Sequence, residues 1–344
     1  MHVAVAMSGG VDSSVVAYLL SKAGHRLTGF TAKLTASAGA EDSVNRAASV
    51  CEKLNIPHVV VDLSDQFDQQ IITPFCKSYL AGYTPSPCIR CNRAIKFGAL
   101  YDIAEQYGCE RIATGHYVKI EQGVERRWLR CSQSVQKDQS YFLFYLTQQQ
   151  LSRALFVLGD APKSEIRAIA REAGLPVAET PDSQEICFVP DDDYRAFLGA
   201  RGCTGAPGWI IDTQGRRLGS HTGIQNYTIG QRRGLGISHS EPLYVVDLNA
   251  EENLVIAGTR ERCARKGLIA ADLNYMRLTS IKDVRALVKI RSTHAGQTAL
   301  CSERDGVLEI MFDEPALNIS PGQAAVLYDS EGAILGGGWI QSSF

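Results

Sequence analysis

Apolar residues follow two rhythms along this chain. Up to about residue 115, short β-branched runs alternate with stretches whose apolar positions recur every three or four residues. Residues 2–7, 26–32, 57–63 and 111–114 read as buried strands. Between them, the segment after Ser13 (Val15, Val16, Leu19, Leu20) reads as a helix that stops at Gly24. Residues 41–54, 67–79 and 93–107 read as further helices. This alternation predicts an α/β fold, a parallel sheet with helices on both faces and ligands beyond the carboxyl ends of the strands. Residues 127–130 read as a strand, and residues 139–155 and 163–173 as helices. From about residue 203 the rhythm changes to short strands. Residues 209–212 and 217–219 flank the hairpin turn Thr213-Gln214-Gly215, followed by strands at 243–246, 254–257, 284–290, 307–312 and 324–328. Their close spacing predicts one or two small β-barrels.

A length of 344 residues suits two or three domains. The expected division is 1–200, with a helical extension from about 120, then a central β domain over 201–263 and a C-terminal β-barrel over 264–344. Hydrophobic residues at 45% and charged residues at 21% describe a globular chain. No apolar run approaches the ~18 residues of a membrane span, and no charged segment precedes an apolar run at the N-terminus, so a cytoplasmic location without membrane contact is expected. The ten cysteines are scattered, unlike a secreted disulfide framework. The net charge of −2 leaves a nucleic-acid partner only local basic patches. Candidates are Arg126, Arg127, Arg130 and Lys137, then Arg232 and Arg233, then Arg260, Arg262, Arg265 and Lys266, each also readable as a solvated face.

The first strand runs into Ser8-Gly9-Gly10-Val11-Asp12-Ser13-Ser14. A strand, a glycine turn and a helix N-terminus make an anion site, because backbone N–H groups and the helix dipole both face the turn. Ser8, Ser13 and Ser14 add donors, and Asp12 could hold Mg²⁺ against phosphates. The Lys-Ser/Thr of a Walker loop and the three spaced glycines of the dinucleotide fingerprint are both missing. The run resembles the pyrophosphate loop of ATP pyrophosphatases, which split ATP between the α and β phosphates.

Cys88 and Cys91 form a Cys-x-x-Cys after Pro85 and Pro87. Cys91, expected near a helix N-terminus beside Arg90 and Arg93, is a candidate low-pKa thiolate. Cys187 is the third candidate. A second Cys-x-x-Cys or a His pair, which would complete a structural zinc site, is missing; the other seven cysteines read as packing residues.

Taken together, several segments resemble the tRNA-specific 2-thiouridylases, over essentially the whole chain. They are 7–14, Cys91-Asn92 with Ile95-Lys96-Phe97, 113–117, 137–143, Asp182-Ser183 with Ile186-Cys187-Phe188, 228–232 with Gly234-Leu235-Gly236, 244–247, 312–315 and 321–323. The resemblance implies that Ala6, Met7, Ser8, Gly9, Gly10, Val11, Asp12, Ser13, Ala32 and Gly115 bind ATP. It implies that Ser86, Pro87 and Cys88 lie against the target base, and that Lys137, Asp138, Gln139, Arg291 and Ser292 contact tRNA. Cys91 and Cys187 are the implied catalytic pair. The implied reaction adenylates the C2 oxygen of wobble uridine 34 with Mg²⁺ and ATP, then replaces it with sulfur from a donor protein or inorganic sulfide. Cys88 departs from the family, whose better-studied members carry Asp there. Two sulfur routes stay open. One is a persulfide on Cys187 attacked by Cys91. The other is a [4Fe–4S] cluster held by Cys88, Cys91 and Cys187, toward which a third soft ligand leans. Rival readings are another adenylating enzyme with the same loop and a non-enzymatic RNA- or cluster-binding module.

Overall fold

The computed structural model describes residues 1–132, 138–159, 161–181 and 186–344. Contacts divide the chain into two compact units: Met1–Ile71, Cys88–Phe188 and Glu331–Leu335, and then Ile72–Pro87, Val189–Ser330 and Gly336–Phe344.

The first unit opens with β1 (His2–Ala6), α1 (Val11–Lys22), β2 (Arg26–Lys33), α2 (Ala38–Lys53) and β3 (His58–Asp62). A short helix α3 (Ser64–Phe67) and a π-helical turn (Asp68–Ile72) lead into α4 (Thr73–Leu80), which belongs to the second unit. Next come α5 (Pro87–Cys91), a π-helical run (Asn92–Ala99), α6 (Leu100–Gln106), β4 (Arg111–Thr114), the hairpin β5 (Val118–Gln122) and β6 (Arg127–Cys131), α7 (Gln148–Arg153), β7 (Ala154–Phe156) and α8 (Lys163–Glu172). The five parallel strands lie in the order β3-β2-β1-β4-β7. Val3 and Val5 of β1, Val15 and Val16 of α1, and Val50 and Cys51 of α2 form one buried cluster with Ile166 and Ala170 of α8. Branched and aliphatic side chains at strand and helix spacing therefore meet across the sheet face.

One expectation fails here. The predicted helix over 139–155 is a 3₁₀ turn, α7 and then β7, which completes the parallel sheet. Thr147 and Gln150 explain the late start of α7, since they form a reciprocal cap on each other's backbone.

The second unit continues with α9 (Tyr194–Ala200), then β8 (Gly208–Asp212), β9 (Arg217–His221), β10 (Tyr244–Asn249) and β11 (Leu254–Gly258), a four-stranded sheet in the order β10-β11-β8-β9. Strands β12 (Ala264–Tyr275), β13 (Val284–Lys289), β14 (Gln297–Arg304), β15 (Val307–Leu317), β16 (Ala324–Tyr328) and β17 (Ile334–Ser343) close an antiparallel barrel. Pattern reading missed β12, β14 and β17. Register shifts in the β12 ladders break its alternation, and β17 is a glycine-rich strand buried over its first seven residues.

Candidate active site

Strand order reverses at β1, with β2 on one side and β4 on the other. Loops leaving the two strands at such a point diverge, and the crevice between them takes ligands. The loop after β1 is Met7 to Gly10. Met7 extends the ladder by one bond, its N–H donating to Phe30 O at 2.8 Å. Gly9 then takes φ +71°, and a Cβ there would lie 2.5 Å from Ser43 O. Arg46 of α2 donates from Nε to Gly9 O at 3.2 Å and fixes the turn from outside. On the β4 side, a Cβ on Gly115 would lie 2.9 Å from Asp12 Cβ and 3.0 Å from Ser13 N. Glycine thus lets the end of β4 close against the first turn of α1.

The serines work differently from expectation. Ser14 Oγ donates to Gly10 O at 2.8 Å, and Ser13 Oγ does so at 3.2 Å while accepting from Ser8 N at 3.2 Å. These bonds hold the loop's shape. Asp12 Oδ1 accepts from Tyr117 Oη and from Lys163 Nζ, both at 2.6 Å. Lys163 is the first residue of α8, next to the helix end where a cation is disfavoured. Sequence reasoning missed it, since its partner Asp12 lies 151 residues away. Ala32 stands near the carboxyl end of β2, opposite Val61 of β3.

The thiols occupy the same unit. Cys91 is buried, while Cys88 and Cys187 reach solvent. The low-pKa expectation for Cys91 is overturned. Cys91 is the last residue of α5 and leads directly into the π-helical run, so no helix N-terminus faces it. Burial pushes its thiol up to about 12; Lys96 opposes the rise, and Cys187 and Cys88 add to it. Cys88 and Cys187 are also raised, chiefly by surrounding protein, and Lys96 again pulls both down. Arg93, one of the two expected cations, stacks on Tyr145 at 4.0 Å. Cys91 feels both other thiols and Cys187 feels Cys88; among the described residues no three His, Cys, Asp or Glu side chains are grouped around a metal position. Asn92 donates from Nδ2 to Phe142 O at 3.0 Å, but its buried Oδ1 has no partner. His116 bonds Thr114 through Nδ1 at 2.8 Å, and burial holds it neutral, well below the usual imidazole value.

The residues expected at tRNA are divided between the two units. Asp138 binds its own loop, accepting from Ser132 N and Ser140 N at 3.2 Å. Gln139 accepts from Tyr117 N at 3.0 Å. Lys137 lies outside the described residues, as do Asp182 and Ser183. Ser86 and Pro87 are buried in the second unit, and Arg291 and Ser292 form the turn after β13 in that unit. Two members of the basic patches are structural instead. Arg130 pairs with Glu121 at 2.6 Å and Glu331 at 3.2 Å, and Arg265 donates to the carbonyls of Arg262, Ala264 and Val246.

The sequence matches three family profiles in succession: the tRNA methyl transferase HUP domain over residues 1–191, the tRNA methyl transferase PRC-barrel domain over 195–259 and the aminomethyltransferase β-barrel domain over 265–340. It is 45% identical to a tRNA-specific 2-thiouridylase of Syntrophotalea carbinolica, covering 98% of both chains. It is 44% identical to the Trichlorobacter lovleyi protein of the same description, covering 99% of this chain and 98% of that one. Among solved structures, a U34-tRNA thiolase from Methanococcus maripaludis with its [4Fe–4S] cluster aligns at 19% identity and a TM-score of 0.38, over 58% of this chain and 64% of that one. That structural likeness is too slight to carry an argument. Among the described residues no helix is long and apolar enough to cross a membrane. The parallel-sheet domain, the switch-point crevice and near full-length identity to these enzymes agree, and the chain belongs to the tRNA-specific 2-thiouridylase family, ATP-dependent tRNA sulfurtransferases.

Proposed function

We propose that the chain thiolates C2 of wobble uridine 34 in two steps, with ATP consumed in the first and two cysteines used in the second. The observation that carries this reading is the approach of Gly115 to the N-terminus of α1, which closes the Ser8–Ser13 loop in the unit that also carries the thiols. The C2 oxygen attacks the α-phosphate, pyrophosphate leaves, and AMP becomes the leaving group that the oxygen lacked. Residues Ala6 to Ser13 with Ala32 and Gly115 hold the nucleotide. Mg²⁺ is commonly held by one or two carboxylates plus substrate phosphates, and Asp12 supplies such a carboxylate. Bound there, Mg²⁺ would neutralise charge that builds on the phosphates.

Sulfur is routed through a persulfide in this reading. Exposed Cys187 suits the acceptor of a persulfide sulfur from a donor protein. The Cys91 sulfur attacks the inner sulfur of that persulfide, a Cys91–Cys187 bond forms, and the terminal sulfur leaves as hydrosulfide. Hydrosulfide adds at C2, the C–O bond to the adenylate breaks, and AMP departs. A thiol reductant then restores the pair. Cys88, Ser86 and Pro87 flank the base in this reading, while Lys137, Asp138, Gln139, Arg291 and Ser292 serve the tRNA. We assign the reaction to the cytoplasm, where such thiols stay reduced, and place domain boundaries near 200 and 263.

The test is incubation with ATP, Mg²⁺, tRNA and a persulfide donor, followed by mass analysis of the wobble nucleoside. One AMP and one pyrophosphate per thiouridine are expected. Cys187→Ser should still release pyrophosphate without forming thiouridine. Release of ADP and orthophosphate would overturn the adenylation step.

A further inference from the structure

The helix that carries the thiols has a second face. Cys88 and Cys91 lie three residues apart, as do Arg90 and Arg93. The two pairs are offset by two residues, about 200° around an α-helix. The guanidinium groups therefore face away from the thiols. There they line an open groove of about 680 Å³ with Gln66, Gln70, Asp102 and Tyr145, among others.

The groove sits beside two π-helical segments, Asp68–Ile72 carrying Gln70 and Asn92–Ala99 carrying Arg93. Such segments are rare and often mark functional sites. The second one breaks at Gly98, where φ is −105° and ψ −108°. Gln150 donates from Nε2 to Arg93 O at 2.7 Å and Phe97 O at 3.2 Å, which takes up backbone acceptors near that break. Arg93 is held by its flat face on the Tyr145 ring, 4.0 Å from the centroid. Stacking uses the guanidinium plane and leaves the in-plane N–H groups to fork onto an anion. The named lining side chains are two cations, one carboxylate, two amides and a phenol. Arg93 covers the Tyr145 ring, and the remaining apolar lining is Ala94, Gly98 and Ala99, which form no deep apolar pocket for a protein partner's anchor side chain.

We propose that this groove binds phosphodiester groups of the tRNA strand that flank the base presented to the thiol face, with Arg90 and Arg93 as the phosphate ligands. The proposal rests on the thiolation reading and assigns it a substrate surface that the sequence resemblance did not name. A nucleotide turned out of a loop carries its two phosphates with it. A helix about 10 Å across is a short distance for a strand to bridge.

The experiment measures binding of unmodified tRNA to the full chain across a salt series, for the wild type and for Arg90→Gln, Arg93→Gln and the double variant. Near 0.1 M salt the double variant should bind about tenfold more weakly. Its plot of log affinity against log salt should be shallower by close to one unit for each arginine replaced. ATP binding measured in parallel should not change, and Arg90→Gln, at an exposed position, gives a reading if Arg93→Gln unfolds the chain. Unchanged tRNA affinity and slope would overturn the proposal. So would unchanged tRNA affinity with a loss of thiolation from a persulfide protein but not from inorganic sulfide, since that result assigns the groove to a protein partner. Wild-type protein that neither binds nor thiolates tRNA would instead sink the thiolation reading itself.

Discussion

The loop after β1 and the helix that starts at Pro87, which the proposed reaction assigns to one active site, are built on opposite terms. In the loop, polar groups satisfy one another. Ser8, Ser13 and Ser14 bond within the turn, Arg46 secures Gly9, and Lys163 and Tyr117 secure Asp12. In the helix they do not. Asn92 keeps a buried oxygen without a partner, Cys88 raises the pKa of both Cys91 and Cys187, and Lys96 pulls all three thiols down. A nucleotide site gains from a shape fixed in advance, because donors already aimed at the phosphates do not reorganise during reaction. A sulfur-transfer site must store a nucleophile and release it, so it keeps groups in states that a ligand or a charge can change.

The largest break in this comparison is on the loop side. In Gly9→Ala the Cβ meets Ser43 O at 2.5 Å, and the position keeps φ +71°. The left-handed conformation alone costs roughly 1–2 kcal/mol for an L-residue, and relieving the clash moves the turn against α2. Pyrophosphate release in the presence of tRNA should fall by at least about 10³-fold. Folding, followed by circular dichroism, should survive. A variant with near wild-type release would mean that the loop is not the phosphate site.

The loop was legible in the sequence because its constraints are local: glycines and serines at fixed spacing between a strand and a helix declare a turn that faces an anion. The parallel order of β1 to β4 was legible for the same reason. The thiol helix was not. Helix-terminus logic put Cys91 at an N-terminus and gave it a low pKa, but Pro87 starts the helix four residues earlier and the tertiary packing buries the sulfur. Lys163 was invisible because its meaning depends on Asp12, 151 residues away. Strand β7 hid inside an apparent helix because three residues, Ala154–Phe156, carry too little pattern to announce an edge strand.

Chemical modification tests the helix side directly. With its thiol near 12, Cys91 is about one part in 10⁴ thiolate at pH 8. Its alkylation by iodoacetamide in the folded chain, read by mass spectrometry, should run about 10³-fold slower than for an unhindered cysteine. The rate should rise about tenfold per pH unit up to the limit of folding. A rate at pH 8 equal to that of unfolded chain would show Cys91 to be an open, low-pKa thiol after all.

Lys96 sharpens the contrast between the steps. Its ammonium lowers the pKa of all three thiols and helps to hold His116 neutral. It sits five residues after Cys91 within a π-helical run. Five residues advance about 140° beyond one turn in an α-helix. The wider π turn, which bonds residue i to i+5, brings the same residue back toward the cysteine. Lys96→Gln should slow thiouridine formation about 10²-fold and leave single-turnover pyrophosphate release within about threefold; Lys96→Arg should restore part of the loss. Equal losses in both steps would make Lys96 a structural residue.

The smallest effect comes from His116 and separates burial from charge. Its imidazole is buried, bonded to Thr114, and held below the usual value first by burial and then by Lys96. In the unfolded chain the same ring titrates near 6.5. Above that pH neither state takes up the proton, and stability is unaffected. As pH falls below it, the unfolded state binds a proton that the folded state refuses, so stability drops by at most about 1.4 kcal/mol per pH unit. The loss levels off only at the depressed folded value. His58, His221 and His294 are also lowered by burial, so the total slope in wild type exceeds one proton. The informative quantity is the difference between wild type and His116→Asn, which keeps a polar partner for Thr114 and removes the titration. Urea unfolding at steps from pH 7 to 5 should show the variant losing stability less steeply by up to one proton. Parallel slopes would mean that His116 meets the proton equally in both states and that the interior beside Lys96 is wetter than its packing implies.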